Sequence, residues 1–86
     1  MNRNNENLNK TRDILKHIPR VELRGRNEIV VENHSGILMF DTDIVRLKTK
    51  IGTLNIYGEK FNLLFMNGPT LVIEGKFKSL EYEGED

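Results

Sequence analysis

Gly52-Thr53-Leu54-Asn55-Ile56-Tyr57-Gly58 sets the beat of this chain: leucine and isoleucine at alternate positions, with a glycine closing each end. A period of two sends successive side chains to opposite faces of an extended strand, so one face can be buried while the other meets water. Leu71-Val72-Ile73-Glu74-Gly75 repeats the strand-then-glycine ending, and Phe61, Leu63 and Phe65 alternate between the two. The pattern specifies a β-scaffold and no reaction.

The same rhythm extends backwards to Pro19. Val21 and Leu23 alternate, Gly25-Arg26-Asn27 makes a turn, and residues 28–32 contain the β-branched run Ile29-Val30-Val31. Asn33-His34-Ser35-Gly36 is predicted as a hairpin turn, because its residues tolerate turn dihedrals and offer local hydrogen bonds. Residues 37–40, 44–50, 52–57, 61–66, 70–75 and 77–82 complete eight short strands, separated by Asp41-Thr42-Asp43 and by glycine-containing turns. Such short connections pair neighbours as antiparallel hairpins, since a parallel crossover needs about a dozen residues. The expected fold is all-β and mainly antiparallel, a meander curled into a small roll, barrel or sandwich behind one N-terminal helix. A β-solenoid is the alternative topology, although no repeat period is visible.

Alternation assigns Val45, Leu47, Leu54, Ile56, Phe61, Leu63, Phe65, Leu71 and Ile73 to the inner face. It then places Tyr57, Leu64, Met66 and Val72 outside, where a partly apolar surface implies cover by the helix or contact with another chain. The helix is expected over 6–17, with Leu8, Thr11, Ile14, Leu15 and Ile18 on one side and Pro19 stopping it. The domain organisation that follows is a tail at 1–5, an amphipathic helix at 6–18, one β domain at 19–83 and an acidic tail at 84–86.

With 86 residues and no cysteine, the chain must hold one small core without disulfides or thiolate metal sites, which leaves room for self-association. Its asparagine-rich N-terminus has no apolar run of signal-peptide or membrane-spanning length, so a soluble, cytoplasmic protein is expected. Thirteen basic residues balance thirteen acidic ones, and net charge gives no support to a general nucleic-acid or membrane-surface role. The balance conceals a gradient from a basic N-terminal third to the acidic close Glu81, Glu83, Glu85 and Asp86. Opposite ends of that kind suit charge-guided docking as well as two solvated termini.

Candidate chemistry is sparse. His34, beside Asn33 in a glycine-ended turn, reads as a turn residue, and His17 as a residue at a helix end. Asp41 and Asp43 lack the later glycine and glutamate of a calcium loop, and turn hydrogen bonds account for both. No phosphate-binding glycine cluster occurs. Arg46, Lys48 and Lys50 form an alternate basic row, the best candidate for a polyanion or lipid-headgroup site, but the aromatic platform of a single-strand nucleic-acid binder is incomplete. No catalytic residue, metal site or cofactor is expected, and nucleic acid is not an expected partner.

Several ordered segments carry a resemblance. Ile18-Pro19-Arg20-Val21-Glu22-Leu23 with Gly25, then Val31-Glu32-Asn33-His34-Ser35-Gly36-Ile37 and Val45-Arg46-Leu47, are followed by the two glycine-ended strands and Leu80-Glu81-Tyr82. In this order, over roughly residues 18–82, the chain resembles the YabP/YqfC family of sporulation proteins, closer to the YqfC branch. The Glu32, Asn33, His34, Gly36 turn is the distinctive motif. The resemblance implies a small non-enzymatic protein made during sporulation, acting in the mother cell of an endospore-forming bacterium, with a membrane-associated protein as partner. It implies no catalytic residues. Together with the outer apolar face, it points to an assembly or adaptor module, cytoplasmic or peripheral at a membrane; the alternative is a polyanion- or lipid-headgroup-binding module using the basic row.

Overall fold

The structure is a computed structural model and describes residues 17–84. Six strands occupy most of them: β1 (Arg20–Arg24), β2 (Glu28–Glu32), β3 (Gly36–Phe40), β4 (Ile44–Thr49), β5 (Gly52–Asn67) and β6 (Thr70–Glu83). They form one open antiparallel sheet in the order β1-β2-β6-β5-β4-β3. The helix expected over 6–18 falls almost wholly outside the described residues; of its end, His17 lies in a turn and Ile18 in a bend.

Eight predicted strands become six because Gly58 and Gly75 do not turn the chain. Strand 52–57 continues through Gly58 into 61–66, and 70–75 continues through Gly75 into 77–82. Register shifts after Tyr57 and between Glu59 and Asn62 bend the long β5–β6 hairpin instead. A Cβ on Gly58 would collide with the Lys76 carbonyl and the Phe61 ring; one on Gly75, at φ +149°, would lie 2.6 Å from Phe61 Cδ1. These glycines let the two strands close over Phe61, a buried side chain in the middle of the bend.

Each half of that hairpin receives a second hairpin in the same way. β4 docks on the first half of β5, with Val45 opposite Ile56 and Leu47 opposite Leu54. β2 docks on the first half of β6, with Ile29 opposite Ile73 and Val31 opposite Leu71. The Gly58 amide donates to the Asp43 carbonyl, and the Gly75 amide to the Asn27 carbonyl. The two units repeat one arrangement, a hairpin docked on a strand that runs into a glycine, and the Leu-x-Ile-x-Gly echo in the sequence marks its two copies.

The expected meander holds from β3 to β6, where consecutive strands pair, and breaks between β2 and β3. β2 pairs with β6, while β3 starts at the far edge, so 33–36 is not a hairpin turn. Four strand spacings of about 4.8 Å separate β2 from β3, roughly 19 Å across a flat sheet. The four Cα steps from Glu32 to Gly36 span at most about 14 Å. The sheet must therefore curl until the two ends meet, and one apolar cluster then draws Ile29 and Val31, Val45 and Leu47, Leu54 and Ile56, Phe61, Leu71 and Ile73 together. The curl replaces a closed barrel or solenoid, for β1 and β3 do not pair with each other.

Candidate functional site

Where the halves meet, the Glu32–Gly36 segment acts as the clasp. Asn33 has φ +69°, which an Asn tolerates better than most side chains, and its Nδ2 donates to the Ile18 carbonyl at 3.0 Å. The His34 amide donates to the Pro69 carbonyl at 3.3 Å, and the Ser35 amide to the Lys48 carbonyl at 2.7 Å. Glu32 accepts from Arg20 at 3.3 Å. The His34 ring lines a hollow of about 160 Å³ with His17, Lys50 and Pro69, and neither of its ring nitrogens has a protein partner. Gly36, by contrast, has a negative φ and open space where a Cβ would stand. Four members of the motif thus sit together: Glu32 and Asn33 tie the segment to the β1–β2 hairpin, and the His34 amide, with that of Ser35, bonds across to the loop before β6 and to β4.

The basic row does not survive folding as one line. Arg46 Nε donates to Asn55 Oδ1 at 3.0 Å, and its Nη2 lies 3.4 Å from Glu83 Oε2. Asn55 Nδ2 donates to Glu83 Oε1 at 2.6 Å, which closes a three-residue network across β4, β5 and β6. Asn55 is only 2% exposed although alternation turns it outward, because Arg46 and Glu83 close over it. Lys50 lies past the end of β4 in a turn, where buried Thr49 accepts from the Ile51 amide and donates to the Gly52 carbonyl. Only Lys48 and Lys50 remain exposed cations of the row.

The predicted outer apolar set divides as well. Tyr57 pairs with Ile44 and Ser79 before the bend, whereas Leu64, Met66 and Val72 lie beyond it. A shift between Leu63 and Phe65 reverses parity, so Phe65 shares the face of Val72, and Met66 that of buried Leu71. Leu63 and Phe65, expected inside, are 40% and 51% exposed; Leu64 and Met66 are 50% and 52% exposed. The physical reason is lateral: β4 reaches β5 only as far as Tyr57, and the Thr42 carbonyl makes the last bond, to the Phe61 amide. Beyond it, residues 62–67 have β6 on one side and no described strand on the other. Four consecutive apolar side chains thus lie half exposed on a free half-edge, while the rest of the predicted inner set is buried.

The β1 edge of the sheet is charged. Arg20, Glu22, Arg24, Glu28 and Glu32 form ion pairs of 3.3–3.9 Å around the nearly buried Val30. Lys78 Nζ lies 2.9 Å from Glu59 Oε2, a hydrogen bond and charge pairing that hold the Glu59 carboxyl below its usual range. Tyr82 faces the inner side opposite Leu54, and partial burial pushes its phenol above the ordinary value of 10.0. Asp41 makes an Asx turn, its Oδ1 accepting from the Thr42 amide at 2.8 Å. Among the described residues no group of three or more His, Cys, Asp or Glu could hold a metal ion. No described helix is long and apolar enough to cross a membrane.

These features define a single-sheet β protein whose distinctive surface is structural rather than chemical, with a clasp at one end and a bare strand edge beside it. The chain belongs to the YabP family, whose model matches residues 16–86. It is 33% identical over 70 residues to the uncharacterized protein YqfC of Bacillus subtilis (strain 168), covering 81% of this chain and 75% of that protein. No solved structure matches it.

Proposed function

We propose that this chain is a non-enzymatic module of spore formation that works by holding another protein, a membrane-associated partner in the mother cell, against the free half-edge at 62–67. The observation that carries the reading is the run Leu63-Leu64-Phe65-Met66, four adjacent apolar side chains left 40–52% exposed. Exposed contiguous apolar surface marks contact sites, and an unpaired strand edge can accept a strand from a partner through main-chain hydrogen bonds. Membership of the YabP family supports the sporulation context. The polyanion alternative loses ground, because Glu83 neutralises Arg46 and only two lysines of the row stay free.

The test is capture from lysates of sporulating cells with the wild-type chain and with the doubly substituted Leu64→Asp/Phe65→Asp chain. Both positions are half exposed, so circular dichroism should show the fold retained. A membrane-fraction protein held by the wild type and lost by the variant is the expected result. Equal capture by both chains, or normal spore yield from cells carrying the variant, would sink the proposal.

A further inference from the structure

We infer that β3 is a self-pairing edge, through which two copies of this chain join antiparallel about a two-fold axis into one continuous sheet. This goes beyond the reading of 62–67 and does not depend on it. The two outer edge strands of the sheet, β1 and β3, are built in opposite ways. β1 reads Arg-Val-Glu-Leu-Arg, with its charges tied into ion pairs, the usual means of discouraging edge-to-edge contact. β3 reads Gly-Ile-Leu-Met-Phe, without a charge or a proline, and Ile37, Leu38 and Met39 are 37–53% exposed. Among the described residues β3 pairs only with β4.

What selects a second copy is the charge at the two ends of this neutral strand. At its start, Gly36 lies beside the exposed Lys48, with Lys50 just beyond; at its finish come the exposed Asp41 and Asp43. Antiparallel pairing of β3 with itself sets the start of one copy against the finish of the other. Both ends of the junction then match lysines with aspartates, a complementarity that favours this partner and this direction. The bulge at Leu38 interrupts the β3–β4 register, and a five-residue edge buries far less than the about 1,600 Å² of a standard stable interface. The dimer is accordingly weak and concentration-dependent.

Sedimentation equilibrium on the full chain, from about 10 µM to about 1 mM, covers the range such a contact occupies. The expected mass rises from 10.0 kDa toward about twice that value, and the rise is suppressed in high salt. Leu38→Lys, at a half-exposed site, should raise the dissociation constant about tenfold or more without changing the fold. Asp41→Lys/Asp43→Lys and Lys48→Asp/Lys50→Asp should each be monomeric alone and should pair when mixed, a rescue that damage to the fold would not produce. The inference is overturned by a monomer at every concentration, or by a dimer indifferent to Leu38→Lys. Slow hydrogen exchange, in dilute monomer, of the β3 amides that point away from β4 would also overturn it, since another part of the chain would then cover the edge.

Discussion

Gly75→Ala is the sharpest probe of the bend on which the sheet depends. The backbone there has φ +149°, where a side chain costs roughly 1–3 kcal/mol in strain. The new Cβ would also lie 2.6 Å from Phe61 Cδ1, 2.9 Å from Phe61 Cα and 3.0 Å from the Glu59 carbonyl oxygen. Overpacking of that kind adds roughly 1–3 kcal/mol. The sum, about 2–6 kcal/mol, is a large part of the roughly 4–13 kcal/mol available to a chain of this size. At roughly 4–8 °C per kcal/mol, the melting temperature should fall by about 10 °C or more. Gly68→Ala separates the two contributions, for Gly68 has φ +58° but nothing within 4 Å of a Cβ. It should cost roughly 1–2 kcal/mol. Trimming the ring with Phe61→Ala should not rescue Gly75→Ala, because two of the three close contacts are to backbone atoms. Urea unfolding followed by far-ultraviolet circular dichroism reads all of these. If Gly75→Ala proves no more costly than Gly68→Ala, the bend does not rest on close approach and the reasoning is refuted.

Within the clasp, Asn33→Ala should lose about 1–3 kcal/mol in the same unfolding assay, from its positive φ and its bond to the Ile18 carbonyl. Gly36→Ala, its neighbour in the motif, should stay within about 0.5 kcal/mol of the wild type, a contrast that simple importance of the motif would not produce. Asn55→Ala should destabilise by about 1–3 kcal/mol, since it leaves Arg46 and Glu83 without their shared partner; a neutral result would show that the network is ornamental. Tyr82 has its folded-state pKa raised by burial, so the stability it contributes is complete below pH 10.0 and declines as pH rises through the folded value. Tyr82→Phe should abolish that alkaline loss, measured by unfolding between pH 8 and about pH 11.

Strand positions were readable because alternation is a local property. Val45, Leu47, Leu54, Ile56, Phe61, Leu71 and Ile73 are buried as their spacing implies. Leu63 and Phe65 break the rule for a reason that spacing does not contain: no strand lies beside them, and a bulge has reversed the face of Phe65. Gly58 and Gly75 illustrate the same limit. A glycine between two apolar runs has one appearance whether it turns the chain or lets two strands approach, and the choice depends on Phe61 and Lys76 across the ladder. The candidate surface suffered most. Arg46 looked like part of a basic row because Glu83, which neutralises it, comes 37 residues later.

The sequence by itself determined that this is a β protein, where its strands lie, which residues seed its core and which family pattern it follows, since periodicity and motif order survive without knowledge of partners. Tertiary structure alone decided that β2 pairs with β6 instead of β3, that the chain curls through a clasp at that step, and which apolar residues remain at a bare edge. Those outcomes come from contacts between segments far apart in the chain, where the curl joins β2 to β6, ends β4 short of residue 62 and leaves β3 outermost.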